Sequence, residues 1–315
     1  MKKPLVILTG PTAVGKTELS LKLAAKINGE IISADSMQVY QYMNIGTAKI
    51  LPEEMGGIKH YLIDEFLPDE EFNVVKFKEH ANRYIEEIYQ KGKIPIIVGG
   101  TGFYIQAVLY DIDFMKTEHD SSYRKELEEL AGIRGGEYLH NMLKEVDRAS
   151  YETIHKNNVK KVIRALEYYH QTGMRISDHN KEQRQKESPY EFAYFVLTNE
   201  RNVLYERIDH RVDKMLEAGL IEEVKDLYYN KGYGRDLVSM QGLGYKEIAG
   251  YLDGEYTLEE AIHILKRDTR HYAKRQLTWF RREKEVTWIP KNEFQENDAL
   301  ILDKLLDELV LKGIV

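Results

Sequence analysis

An α/β fold, with a parallel sheet flanked by helices and interrupted by an all-helical insertion, is what this sequence predicts, and three observations predict it. The short apolar runs Leu5–Thr9, Glu30–Ala34, Ile94–Val98 and Phe192–Leu197 read as strands, with helical patterns at Thr17–Ile27 and Val74–Gln90 between the first three. Glycine-rich turns follow the first and the third of these runs. From about Asp113 to Ser188 the pattern changes to charged helical stretches with no convincing strand. Strands that alternate with helices pair in parallel, because each parallel connection needs a crossover, and the result is a doubly wound sheet.

The first strand leads into Gly10-Pro11-Thr12-Ala13-Val14-Gly15-Lys16-Thr17, which opens the amphipathic helix Thr17–Ile27. Strand, glycine loop and helix in that order form a phosphate-binding loop, so the sheet is of the P-loop type. Its backbone N–H groups and the helix N-terminus can surround a di- or triphosphate, Lys16 adds a point charge, and the Thr17 hydroxyl can ligate Mg²⁺. Which polyphosphate it holds is left open by the loop alone. The strand Glu30–Ala34 ends at Asp35-Ser36-Met37-Gln38, and Ile94–Val98 ends at Gly99-Gly100-Thr101-Gly102. Sheets of this kind bind ligands at the carboxyl ends of their strands, so all three loops are expected in one crevice. Within the insertion, Tyr123–Ala131 and Asn158–Thr172 have helical periods; Phe192–Leu197 then rejoins the sheet. Helical periods return at Leu204–Glu217, Leu220–Asn230, Thr257–Arg282 and Asn297–Leu311. The expected division is residues 1–112 with 190–315 as the P-loop core and 113–189 as the insertion.

Composition narrows the class. In 315 residues, 43% hydrophobic and 31% charged, no run approaches the ~18 apolar residues that span a bilayer, so no membrane association is expected. Met1-Lys2-Lys3-Pro4 leads straight into the first strand and leaves no room for a cleavable leader; a cytoplasmic location is expected. Without cysteine there is no disulfide, thiolate zinc site or cysteine nucleophile. A net charge of −7 argues against non-specific nucleic-acid binding. Yet Lys266, Arg267, Arg270, Lys274, Arg275, Arg281, Arg282 and Lys284 crowd one aromatic-rich segment, as in a protein with one anionic partner at one place.

Several residues could carry chemistry, each with a bland alternative. Asp35 at a strand end can ligate Mg²⁺ through water or accept a proton from a nucleophile, and it also suits a cap or a turn. Thr101 could hydrogen-bond a bridging or leaving oxygen, although a tight turn alone would explain the glycines around it. Arg207 and Arg211, one helical turn apart, read equally as a solvated, ion-paired face or as a grip on a diphosphate. Arg267, Arg270 and Lys274 share a helix face with Arg281 two turns on, which suits a phosphate backbone, while Ile264, Tyr272, Leu277 and Phe280 require burial on the same helix. The turn Ser239-Met240-Gln241-Gly242-Leu243-Gly244-Tyr245-Lys246 suits close contact with a base or a backbone.

Taken together, Gly10–Thr17, Asp35-Ser36-Met37-Gln38-Val39-Tyr40, Gly46-Thr47-Ala48-Lys49, His60-Tyr61-Leu62-Ile63-Asp64, Gly99-Gly100-Thr101-Gly102-Phe103-Tyr104, Gln241–Tyr245 and Arg275-Gln276-Leu277-Thr278-Trp279-Phe280-Arg281 resemble the bacterial tRNA dimethylallyltransferases. The motifs follow that family's order over nearly the whole chain. The resemblance implies that Gly10, Pro11, Thr12, Ala13, Val14, Gly15, Lys16 and Thr17 hold dimethylallyl diphosphate, and that the acceptor is N6 of the adenine on the 3′ side of the anticodon. It implies Asp35 as general base, Thr101 behind the bridging oxygen, Lys16 with Arg211 on the diphosphate charge, and Thr17 with Asp35 at Mg²⁺. It further implies contacts to the tRNA anticodon stem-loop from Asp35, Ser36, Met37, Gln38, Arg124, Gln241, Gly242, Lys274, Arg275 and Arg281, in a monomeric enzyme. Some eukaryotic members add a zinc finger, which a chain without cysteine does not carry; Val14 replaces a small polar residue common in relatives. Two alternatives stand beside this reading: an isopentenyltransferase acting on free adenine nucleotides, and a small-molecule kinase that binds ATP in the same loop.

Overall fold

The structure, a computed structural model, describes residues 2–114 and 122–315; residues 115–121 of the expected insertion lie outside the described residues. In chain order the elements are β1 (Lys3–Thr9), α1 (Lys16–Lys26), β2 (Gly29–Ala34), β3 (His60–Tyr61), α2 (Val74–Gln90), β4 (Ile94–Gly99) and α3 (Gly102–Leu109). Five helices follow: α4 (Ser122–Arg134), α5 (Gly136–Val146), α6 (Arg148–Thr153), α7 (Val159–Thr172) and α8 (Ile176–Gln183). Then come β5 (Tyr190–Thr198), α9 (Arg201–Glu217), α10 (Leu220–Lys225), α11 (Tyr245–Leu252), α12 (Leu258–Phe280), β6 (Val286–Pro290) and α13 (Asp298–Leu311).

Two compact units result, residues 1–109 with 189–315 and residues 110–188. In the first, all six strands pair in parallel in the order β3-β2-β4-β1-β5-β6, so the expected P-loop-type parallel sheet is present. Leu5, Val6, Ile7 and Leu8 of β1 are fully buried because the strand lies mid-sheet with helices on both faces. Val6, Leu8, Ile31, Ile96, Phe195 and Leu197 point to the face covered by Leu19 and Leu23 of α1 and by Ile301, Leu305 and Leu309 of α13. Phe77, Ala81, Ile85 and Ile88, spaced at three and four residues, form the buried stripe of α2.

Helix ends follow the sequence closely. Asn73 caps α2 and Asn297 caps α13, while Thr257 and Glu260 form a reciprocal capping box on α12. Four differences have physical reasons. The stretch read as one helix over Leu220–Asn230 is α-helical only to Lys225 and continues as a π-helical turn over Asp226–Asn230. The helix α3 has Tyr104, Ile105, Ala107, Val108 and Leu109 all buried, so no amphipathic period announces it. The segment read as a turn from Ser239 to Lys246 is a short 3₁₀ turn, Ser239–Gln241, followed by the start of α11. The strands β3 and β6 escape periodicity because one has two residues and the other is a sheet edge of five that ends on Pro290.

The unit 110–188 contains no strand among its described residues and is organised around Leu127, Leu139, Leu143, Val162, Ile163 and Leu166. Its Asp147 accepts hydrogen bonds from Ser150 N and Oγ and from Ser177 N and Oγ, fastening the first turns of α6 and α8. No helix among the described residues is long and apolar enough to cross a membrane.

Candidate active site

The crevice is built where β1, β2 and β4 end. After β1 the chain turns through Gly10, with φ +147°, and reaches α1 through Gly15, with φ +96°, a conformation that only glycine adopts without strain. Val14 is fully buried in the core, so it offers the loop its backbone and not its side chain. Lys16 Nζ donates to the loop carbonyls of Gly10 at 3.0 Å and Pro11 at 2.8 Å. Thr17 is exposed at the head of α1.

Of the arginine pair that the sequence left open, the tertiary structure separates the two members. Arg207 pairs with Glu296 at 2.8 Å on a half-exposed surface, whereas Arg211 turns inward and its NH1 approaches Thr12 Oγ1 at 3.4 Å. Burial lowers the Arg211 pKa, with the nearby Asp35 charge opposing. Lys16 is pushed down to about 7, first by burial, then by the Arg211 charge, with Asp35 again opposing. Two desolvated cations facing one carboxylate make a site short of negative charge, the electrostatic imprint of an anionic ligand.

That imprint has a measurable consequence. A bound diphosphate favours charged Lys16, so its pKa in the complex lies above its ligand-free value of about 7. Affinity is then full below that value and falls as pH rises through it, and binding takes up protons in this window. Calorimetry of diphosphate binding in buffers of different ionisation enthalpy at about pH 8 is expected to show about one proton more taken up per site by the wild type than by Lys16→Arg. The Lys16→Arg variant, charged throughout, is expected to show only the proton exchange of the diphosphate itself.

Asp35 Oδ1 accepts hydrogen bonds from Met37 N at 2.9 Å and Gln38 N at 3.3 Å, so the turn reading of this residue holds alongside its place in the crevice. Gln38 spends its amide inside the fold, donating to Thr47 O at 3.2 Å and accepting from Ser33 Oγ at 3.3 Å. Ser36 and Met37 are half-buried. Met37 Sδ lies 3.1 Å from where a Cβ on Gly242 would stand, which brings the Asp35 turn against the Gln241–Gly242 turn. Gln241 itself is exposed and donates to Arg235 O.

Sequence reasoning missed the frame behind these turns. Glu223 accepts from Asn44 N at 2.9 Å, Ile45 N at 2.8 Å, Gly46 N at 3.1 Å and the Tyr245 hydroxyl at 2.6 Å. Buried Lys49 donates to Tyr40 O, Asn44 Oδ1 and Asp64. These bonds explain why the Gly46–Lys49 and His60–Asp64 motifs accompany Asp35: they hold the segment that carries it. Lys291, also unanticipated, is buried, pairs with Asp298 at 2.8 Å and has its Nζ 3.1 Å from the position of a Cβ on Gly15.

The Thr101 hydroxyl is buried, with the phenol of Tyr272 on α12 within hydrogen-bonding reach. Tyr272 on α12 joins the same crevice, where burial and then the Asp35 charge push its phenol pKa up. Along α12 the basic stripe divides in two. Lys266 and Arg270 pair with Asp213 and Asp209 of α9, and Arg267 pairs with Asp268. Lys274, Arg275, Arg281 and Arg282 make no ion pair among the described residues. His271, Lys274, Arg275, Thr278, Trp279 and Arg282 line an open cavity of about 440 Å³. In the separate unit 110–188, Arg124 is held by the buried Glu167, Nε on Oε1 at 3.1 Å and NH2 on Oε2 at 2.6 Å.

No group of three or more His, Cys, Asp or Glu able to hold a metal stands among the described residues. Thr17 and Asp35 offer one hydroxyl and one carboxylate. That is a hard-oxygen set too small for an all-protein cage and suited to a cation that takes its other ligands from phosphate and water.

Fold and site together define a P-loop α/β protein with two buried cations at the loop, a facing carboxylate and an adjoining basic helix. The family described as IPP transferase matches residues 38–283. The tRNA dimethylallyltransferase of Lachnoclostridium phytofermentans is 64% identical over 313 residues, covering 99% of each chain. That of Clostridioides difficile is 50% identical over 312 residues, covering 99% of this chain and 98% of the relative. Among solved structures, the full-length tRNA isopentenylpyrophosphate transferase from Bacillus halodurans superposes with TM-score 0.73 at 46% identity, covering 99% of this chain and 98% of its own. A eukaryotic dimethylallyltransferase acting on tRNA superposes with TM-score 0.83 at 30% identity, covering 99% and 80%. The chain belongs to the bacterial tRNA dimethylallyltransferase family.

Proposed function

We propose that this protein transfers the dimethylallyl group of dimethylallyl diphosphate to N6 of the adenine 3′-adjacent to the anticodon of tRNA and releases diphosphate, as a cytoplasmic monomer. The observation that carries the reading is the pair of desolvated cations, Lys16 and Arg211, opposite Asp35 at the P-loop of a chain so similar to tRNA dimethylallyltransferases.

The chemistry asks for these groups. As the C1–O bond of the allylic ester breaks, negative charge accumulates on the departing diphosphate, where Lys16, Arg211 and the loop N–H groups stabilise it. The Thr101 hydroxyl donates to the bridging oxygen. The adenine amine forms the new C–N bond at C1, and its proton passes to the Asp35 carboxylate, which prevents reversal. Mg²⁺, held by Thr17 and through water by Asp35, would add charge neutralisation on the leaving group. A base in an anticodon loop leaves its stack to reach this crevice, and exclusion of water there protects the allylic cation. The Ser36–Gln38 turn, Gln241, Gly242, Lys274, Arg275 and Arg281, with Arg124 of the helical unit, are assigned to tRNA; the unpaired half of the α12 stripe and its open cavity support this assignment.

Labelled dimethylallyl diphosphate with Mg²⁺ and either unmodified tRNA or adenine nucleotides tests the reading. Label is expected in tRNA. Label in nucleotides but not in tRNA would overturn it in favour of a free-nucleotide isopentenyltransferase. Phosphoryl transfer from ATP without prenyl transfer would make the protein a kinase.

A further inference from the structure

The phosphate loop and the Thr101 turn leave neighbouring strands and are joined at their base, where Thr9 pairs with Gly99 and Thr9 Oγ1 donates to Gly99 O at 2.6 Å. Beyond that point a side chain from a third element meets both. Gln276 of α12, 5% exposed, accepts from Thr12 N at 2.9 Å through Oε1 and donates to Gly100 O at 3.0 Å through Nε2. Its two ends cannot be exchanged: an N–H on one side requires the carbonyl oxygen and a C=O on the other requires the amide nitrogen. The approach is close enough that a Cβ on Gly100 would lie 2.1 Å from Nε2. Gln276 also takes the Thr12 N–H out of the phosphate cradle and so sets which loop amides remain for an anion.

From this geometry we propose that Gln276 is a positioning residue that fixes the distance between the diphosphate held by the P-loop and the Thr101 hydroxyl behind the bridging oxygen. The inference rests on the functional reading above. The register it holds matters most while the C1–O bond breaks. Losing one end of the clamp slows bond cleavage and leaves ground-state binding of tRNA and diphosphate nearly intact, since the cations and the other amides stay in place.

Two variants test it, Gln276→Met, which fills the same space without either hydrogen bond, and Gln276→Glu, which keeps the acceptor for Thr12 N. Single-turnover transfer to tRNA is expected to fall about 100-fold in Gln276→Met, with dissociation constants for tRNA and for inorganic diphosphate within about threefold of wild type. At about pH 8 the ionised Glu opposes Gly100 O and the variant is equally slow. As pH falls through the pKa of this carboxyl, which burial raises, the protonated acid donates to Gly100 O and the rate recovers relative to wild type at the same pH. The Met variant shows no such recovery. Rates equal to wild type in both variants overturn the inference, as does a loss that follows melting temperature or substrate affinity, or a Glu variant whose ratio to wild type does not change with pH. Wild-type protein that fails to prenylate tRNA would instead overturn the functional reading, whatever the variants do.

Discussion

Replacing Asp35 with Asn is expected to lower the single-turnover rate of transfer to tRNA by about 10³-fold while leaving diphosphate affinity within a few-fold of wild type. The substitution is chosen to isolate one function of a residue that has two. Asp35 Oδ1 organises its own turn through Met37 N and Gln38 N, and an Asn oxygen accepts the same two bonds, so the loop survives. The proton-accepting carboxylate does not. Alanine removes both functions and would leave a fallen rate ambiguous between lost basicity and a collapsed turn. The variant also removes a negative charge beside Lys16 and Arg211 that repels an incoming diphosphate, so diphosphate binding does not weaken. Wild-type turnover in Asp35→Asn would rule this carboxylate out as the base, and a parallel fall in diphosphate affinity would make it a ligand-binding residue.

Lys16→Met is expected to act in opposite directions on activity and stability. Removing one preorganised cation from the leaving-group site lowers kcat/KM for dimethylallyl diphosphate by about 10³-fold. In the ligand-free protein, however, burial and Arg211 already disfavour the charge on Lys16, so its loss relieves a cost. The variant is therefore expected to melt no lower than wild type, a trade of stability for activity typical of functional sites. Arg211→Met behaves alike, and because both cations face one anion and repel each other without it, the double variant loses less than the two single losses combined. A lower melting temperature for Lys16→Met in the absence of ligand would show that the Gly10 and Pro11 carbonyls, and not the ligand, are what this lysine serves.

Much of this site is legible in the chain because local chemistry announces it. A glycine loop between a buried strand and a helix, an acidic turn at a strand end and a Gly-Gly-Thr-Gly turn after Val98 each need only a few neighbouring residues to be recognised. The parallel sheet follows from strand and helix alternation, since Leu5–Leu8 and Ile94–Val98 have no polar face to turn toward water. Elements without a one-sided pattern stayed hidden. The helix α3 buries all its residues but Phe103 and Gln106, and β6 is a short edge. The signal for Gln276 was present as a polar residue among Ala273, Leu277 and Phe280 on the apolar face of α12, yet a buried amide discloses its partners only when they are in place. Nothing local marks Lys291 or Glu223.

The sequence by itself determined the four inner strands of the sheet, the three loops at their ends and the family to which their order belongs, because those features are written in contiguous residues. Only the tertiary structure decided between equivalent side chains. It sends Arg211 to the phosphate loop and Arg207 to Glu296, divides the basic stripe of α12 into a paired and an unpaired half, and sets Gln276 across two loops more than 80 residues apart in sequence. The reason is physical. Helical period places a residue on a face, but which face meets an anion, an acid or water depends on what the rest of the chain packs against it.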